Sequence, residues 1–461
     1  MTSNPVHTAA SVDLPKDSWS GPPIALFWDQ SLVWGLICLE TLQQMQLPFR
    51  LINSAQIRQG ALDAHRVLLV PGGWASHKME VLGSDGQERI KQFVMSGGSY
   101  LGFCGGAGLA LSSPPSLGLV PLQRLPLHER LPSASGPLVI AKSCDHAIWQ
   151  DLPERLTASV WWPSQFQCKA VPSVRVLARY TGLARGFWIS DLPLDDLETL
   201  GMDCAAWEQV YGINLDPSRL LDQPAILEAP LGEGRIILSY PHLETPGDPE
   251  ANQLLLNIVR YLDSSAATHR PNSAPAPLSH RHSEPLPGSR TLQCIQQAAA
   301  TAEDLIAYGQ RHLLWNWRLP WLLHWRRGVR GLECGTLAVL LRVLAREMER
   351  LHAHPSEAGD DPWLEPTRAI LDETRSFCRG ARRLLLEEKL AGQSGTCAKL
   401  GKVNTTVDRL REQLYGSRMN HGGLCRTLFD KLDQLLFQFL TSRHQGRIGL
   451  NAEWLADHPA Q

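Results

Sequence analysis

The stretch Ser99-Tyr100-Leu101-Gly102-Phe103-Cys104-Gly105-Gly106-Ala107-Gly108-Leu109 restricts the possible folds of this chain more than any other. It reads as a short apolar strand, a tight turn with one cysteine at its apex, and the first turn of a helix. Gly102 and Gly106 flank Cys104 where the backbone folds back on itself and a side chain would collide. A cysteine in such a turn projects above the sheet, at the positive end of the following helix, which favours a thiolate. A cysteine outside such a context is more often a small buried hydrophobe.

The segments around this turn alternate between strand and helix. Ile24–Trp28 is an apolar run of buried-strand length that ends at the polar turn Asp29-Gln30-Ser31, and a helical pattern follows from Leu32 to Gln46. Pro48–Ile52 is a second strand. Val67–Val70 is a third and ends in Pro71-Gly72-Gly73; Gln87–Ser96 reads as the helix before the cysteine strand. This order predicts a parallel sheet covered on both faces, with all three turns at the carboxyl edge where such sheets bind ligands. Leu117–Val120 is expected to restart a strand, and Pro137–Ala141, Ser159–Trp162 and Val174–Tyr180 are further β-rich runs. Pro224–Pro230 and Arg235–Tyr240 pair as a hairpin across Gly232-Glu233-Gly234. Glu250–Leu262 closes the first domain as an amphipathic helix.

The domain boundaries follow from composition. Residues 1–21 read as a disordered lead without the apolar core of a signal peptide, 22–265 as the sheet domain, 266–290 as a Pro/Ser/His-rich linker, and 291–461 as a helical domain. His269, His280 and His282 in the linker have no partner ligands near them, so solvated histidines are preferred to a metal site. The helical domain is expected as an antiparallel bundle of four or five helices, from Thr291–Trp317, Leu332–His352, Pro362–Leu390 and Leu424–Leu440. Leu313–Arg327 interleaves tryptophan with arginine. Tryptophans filling the core or the face between domains, with solvated arginines, is preferred there to a membrane-surface or partner-gripping role.

The net charge of −2 over 461 residues implies no general attraction to nucleic acid. Ten cysteines occur singly with no Cys-x-x-Cys pair, a pattern of reduced thiols in a cytoplasmic protein, and no apolar run is long enough to span a bilayer as a helix.

A cysteine nucleophile needs a base and a group that orients the base. His242 and Glu244 suit these roles, because they follow the last strand two residues apart and project the same way. Backbone N–H groups of Gly105 and Gly73, with Gly72 in the same loop, are placed to hold an oxyanion. Asp29 at the same edge is a candidate for orienting a substrate, against the more ordinary role of capping a turn. Gln165, in Trp161–Phe166, is a candidate pocket wall. No metal or cofactor is expected.

The motifs Val70-Pro71-Gly72-Gly73, Gly102-Phe103-Cys104-Gly105-Gly106-Ala107 and Ser239-Tyr240-Pro241-His242-Leu243-Glu244 carry a resemblance. Residues 22–265 resemble the class I glutamine amidotransferase-like superfamily and, within it, the biotin–protein ligase N-terminal domain family. The resemblance implies a flavodoxin-like α/β domain with Cys104, His242 and Glu244 as a triad, here followed by an all-α helical bundle. This chain has Gly108 where working glutaminases carry Gln, and Leu243 where they carry Pro. Residues 266–461 contain no Gly-Arg-rich adenylate loop, so biotin transfer is not expected. Two functions stay open: acyl chemistry on a small amide or ester, or a non-catalytic module that binds a small metabolite or serves as a scaffold. In the first the helical domain would restrict access or receive a protein partner, and in the second the helices would mediate assembly.

Overall fold

A computed structural model describes residues 21–167, 171–199, 201, 203–266, 287–352, 361–393, 403–416 and 422–444. The lead, nearly all of the linker with its three histidines, and Cys168 lie outside them. The first half runs β1 (Ile24–Phe27), α1 (Val33–Gln44), β2 (Phe49–Ile52), α2 (Ser54–Arg58), β3 (Val67–Val70), α3 (Ala75–Met95), β4 (Ser99–Phe103) and α4 (Gly105–Ala110). It continues with β5 (Ala134–Lys142), β6 (Arg155–Trp161), β7 (Arg175–Leu183), β8 (Trp188–Ile189), β9 (Leu192–Pro193), α5 (Leu194–Thr199), α6 (Cys204–Tyr211), β10 (Pro224–Leu231), β11 (Gly234–Ser239) and α7 (Pro249–Ser265).

These strands form one mixed sheet in the order β2-β1-β3-β4-β11-β10-β7-β5-β8-β9, with β6 on β5. The pairs β2/β1, β1/β3, β3/β4 and β4/β11 are parallel, and the strands beyond β11 pair antiparallel. The parallel strands are short and apolar because helices cover both faces, which removes the need for a polar side. This is a flavodoxin-like α/β arrangement with an antiparallel extension.

Three local expectations are corrected. The helix before β4 starts at Ala75 rather than Gln87, with a break at Gly83 (φ 60°, ψ −178°). Leu117–Val120 does not join the sheet: the N–H groups of Leu117, Gly118 and Val120 satisfy the carbonyls of Leu109, Leu111 and Ala110 at the end of α4. The second half is not all-α. After α8 (Ser289–Arg311) the chain forms the antiparallel pair β12 (Trp315–Leu319) and β13 (Leu322–Trp325), then α9 (Gly331–His352), α10 (Leu364–Gln393), α11 (Thr405–Tyr415) and α12 (Gly423–His444).

The β12–β13 hairpin lies against the sheet half. Trp315 and Trp321 are buried, as expected for tryptophans of a core or a domain face. Of the three arginines Arg326 is exposed as expected, but Arg318 and Arg327 are bound to the sheet half rather than solvated. Arg318 donates to the Ser135 carbonyl and hydroxyl and to the Gly186 carbonyl, and the Arg327 guanidinium donates to the Tyr211 carbonyl. One apolar core runs without interruption from the α1/α7 face of the sheet into the bundle, while a second covers the α3/α4 face.

Candidate active site

β4 delivers Cys104 to the carboxyl edge of the sheet with φ 46° and ψ −103°, outside the ordinary range of an L-residue. Its N–H is fixed by the Ser239 carbonyl at 2.8 Å, which joins the cysteine turn to the end of β11. The surrounding glycines are dictated by contact. A Cβ on Gly105 would lie 1.8 Å from the Gly73 oxygen, and one on Gly106 2.0 Å from the Val70 oxygen. The cysteine turn and the loop after β3 are therefore packed backbone against backbone. Gly72 supports the ring layer of the site: a Cβ there would meet Trp34 at 2.9 Å and His242 at 3.3 Å.

His242 and Glu244 follow β11 and are both buried. Glu244 Oε1 lies 2.6 Å from His242 Nδ1, which sets Nδ1 as the donor and leaves Nε2 facing away from the carboxylate. Nε2 is buried without a hydrogen-bond partner. Burial pulls the imidazole's affinity for a proton down. The Glu244 carboxylate, and then the Cys104 sulfur, outweigh it and raise the ring well above the ordinary imidazole range, to about 10. The bend is clamped from several sides. Ser159 accepts the His242 N–H, Thr245 Oγ1 donates to the His242 carbonyl, Thr41 Oγ1 donates to the Glu244 carbonyl, and Asn252 Nδ2 donates to the carbonyls of Leu243 and Thr245.

Trp34 stacks on His242 with ring centroids 4.6 Å apart and planes tilted by 30°. Trp162 packs edge-on against Trp34 at 6.3 Å, and Trp325 of β13 stacks on Trp162 at 4.5 Å. The helical half thus reaches the histidine through a series of three tryptophans. Sequence reasoning passed over Trp34, whose only signal is its place one helical turn after Asp29-Gln30-Ser31.

Two candidate residues are engaged elsewhere. Asp29 Oδ2 accepts from Ser54 N at 2.8 Å and Ser54 Oγ at 2.5 Å, so its carboxylate holds the start of α2. Gln165 is fully buried, with Oε1 accepting from Leu131 N and Nε2 donating to the Arg219 carbonyl, both at 2.7 Å. With both ends of the amide used, it braces loops and offers nothing to a ligand.

The flavodoxin-like sheet thus presents a strained cysteine turn after one central strand and a His-x-Glu bend after its parallel neighbour. Within it, residues 33–113 match the family model described as biotin-protein ligase, N terminal. Solved structures similar to the chain include PurLQS from Thermotoga maritima, at 12% identity and TM-score 0.34 over 52% of this chain and 99% of that one. A ThuA-like protein from Bacteroides uniformis is similar at 13% identity and TM-score 0.34, over 54% and 95%. The β-galactosidase of Bacillus circulans sp. alkalophilus is similar at 12% and 0.32, over 52% and 31%. No curated protein matches the chain. No helix among the described residues is long and apolar enough to cross a membrane.

Proposed function

We propose that residues 22–265 form a cysteine-dependent acyl-transfer domain acting on a small amide or ester, in a cytoplasmic protein. The observation that carries this reading is the buried Glu244–His242 pair at 2.6 Å, with an unpartnered Nε2 at the edge where Cys104 is held in a strained turn. With the imidazole raised to about 10, His242 Nε2 already carries the thiol proton, so the Cys104 sulfur attacks the substrate carbonyl carbon as the thiolate of a Cys104–His242 ion pair. The tetrahedral oxyanion is received by backbone N–H groups of Gly105 and Gly73. Collapse breaks the acyl–nitrogen or acyl–oxygen bond, and His242 returns the proton to the leaving amine or alcohol. Water, deprotonated by the same imidazole, then releases the acid from the thioester and restores the thiolate–imidazolium pair. Glu244 holds the tautomer and supports the imidazolium. The helical half, through Trp325, Trp162 and Trp34, limits the approach to the histidine.

Iodoacetamide labelling at pH 6, read by peptide mass spectrometry, tests this. Cys104 should react at least tenfold faster than the other nine cysteines, and His242→Ala should erase the difference. Glu244→Gln removes the charge that raises the imidazole, so the labelling profile of Cys104 should move to higher pH. Equal labelling of all cysteines, or a profile indifferent to His242, would leave only a binding or scaffold module.

A further inference from the structure

A cavity of about 350 Å³ lies on the seam between the two halves. It is walled by Asp29, Gln30 and Asn53 from the turns after β1 and β2, and by Arg426, Asp430 and Asp433 from α12. We propose that this cavity binds a small organic cation, an ammonium or guanidinium group on a short apolar stem, with Asp433 as its principal acceptor.

The polar groups of the wall are unequally satisfied. Asp430 Oδ1 accepts from Gln30 Nε2 at 2.7 Å, and both of its oxygens accept from Arg426 Nε at 3.1 Å. Arg426 also meets Glu80 at 3.3 Å, so the one wall cation is already held by two carboxylates. Asp433 differs. It is 4% exposed, Oδ2 accepts the backbone N–H of Gln30 at 2.9 Å, and Oδ1 has no hydrogen-bond partner. A buried oxygen left open is costly, and a donor arriving with a ligand would satisfy it.

Charge points to the sign of that ligand. Burial and the neighbouring Asp29 raise the Asp433 carboxyl to about 8, against the opposing influence of the Gln30 N–H and of Lys78. Lys78, fully buried behind the wall, is spent on the Ser31 hydroxyl at 2.5 Å and the Asp29 carbonyl at 3.3 Å and forms no ion pair with Asp433. Two carboxylates that disfavour each other across a cavity are relieved by a cation between them. A bare metal ion is the weaker fit. Among the described residues no group of three or more His, Cys, Asp and Glu side chains is arranged to hold one. Val81 and Phe437 supply an apolar wall suited to a carbon stem.

The cavity is separate from the Cys104 site but adjoins its loop, since a Cβ on Gly73 would lie 2.5 Å from the Gln30 carbonyl oxygen. Titration calorimetry of the full chain at pH 8.5, with putrescine and agmatine as probes, tests the proposal. Saturable binding of at least one probe is expected, weakened at least tenfold by Asp433→Asn, whose amide oxygen still accepts from Gln30. If that variant does not fold, Asp29→Asn serves, and a severalfold weakening is expected. No saturable binding of either probe up to 10 mM, or affinity unchanged in the variants, overturns it. So does magnesium binding that is lost in Asp433→Asn while neither amine binds.

Discussion

Cys104 carries strain that no neighbouring residue needs. At φ 46° and ψ −103°, the side chain occupies backbone space that glycine reaches freely, a conformation worth about 1–3 kcal/mol of destabilisation. Cys104→Gly should therefore raise unfolding stability by about 1 kcal/mol after glycine's own entropic penalty, while abolishing fast alkylation. Urea melts of the two proteins measure it; a less stable variant would mean that the thiol packs more than it strains. The glycines around the turn were legible for the same reason: a collision of 1.8 Å at Gly105 permits no side chain. Asp29 and Gln165 were not legible as structural residues. Their partners, Ser54, Leu131 and Arg219, lie 25 to 54 residues away, and nothing local announces them.

At the scale of elements, the β12–β13 hairpin is where local pattern failed. Thr291–Trp317 reads as one helix, yet α8 ends at Arg311 and the next residues pair as strands across Pro320-Trp321. Proline there cannot continue a helix and suits a turn. The strands form because an isolated amphipathic ribbon gains a partner surface: Trp325 finds Trp162, and Arg318 finds three acceptors on the sheet half. The Arg318 guanidinium also lies 5.2 Å from the Trp161 ring, and burial lowers its pKa to about 10. Arg318→Ala should cost about 2–3 kcal/mol by leaving the Ser135 and Gly186 carbonyls without this donor. Chemical denaturation measures the loss, and Arg318→Lys should restore only part of it, since one ammonium does not span a guanidinium's fork.

Across the whole molecule, the two halves share a core and a buried charge cluster. α12 presents Asp433 to the turn after β1, where Trp28 Nε1 donates to the Asp433 carbonyl at 2.9 Å. Because the Asp433 carboxyl is raised to about 8 from an ordinary value near 4, the folded chain retains a proton that the unfolded chain releases. That contribution is present below about pH 4 and is lost as pH rises toward 8. Lys78, lowered to about 7 by burial, acts in the opposite sense between about pH 7 and 10. Asp433→Asn should therefore gain on the natural protein by more than about 1 kcal/mol between pH 5 and pH 8. Parallel urea melts at the two pH values test this, and a constant difference would place the proton elsewhere.

The sequence by itself determined the parallel strands, the cysteine turn and the His-x-Glu bend, because each depends on short-range sterics and apolar periodicity that a few adjacent residues contain. Only the tertiary structure decided that the tryptophan–arginine ribbon is a hairpin on the sheet half, that Asp29 holds α2, and that Asp433 meets Gln30. Those outcomes depend on which surfaces remain unpaired once the sheet and bundle have closed, and their partners lie up to about four hundred residues apart in the chain.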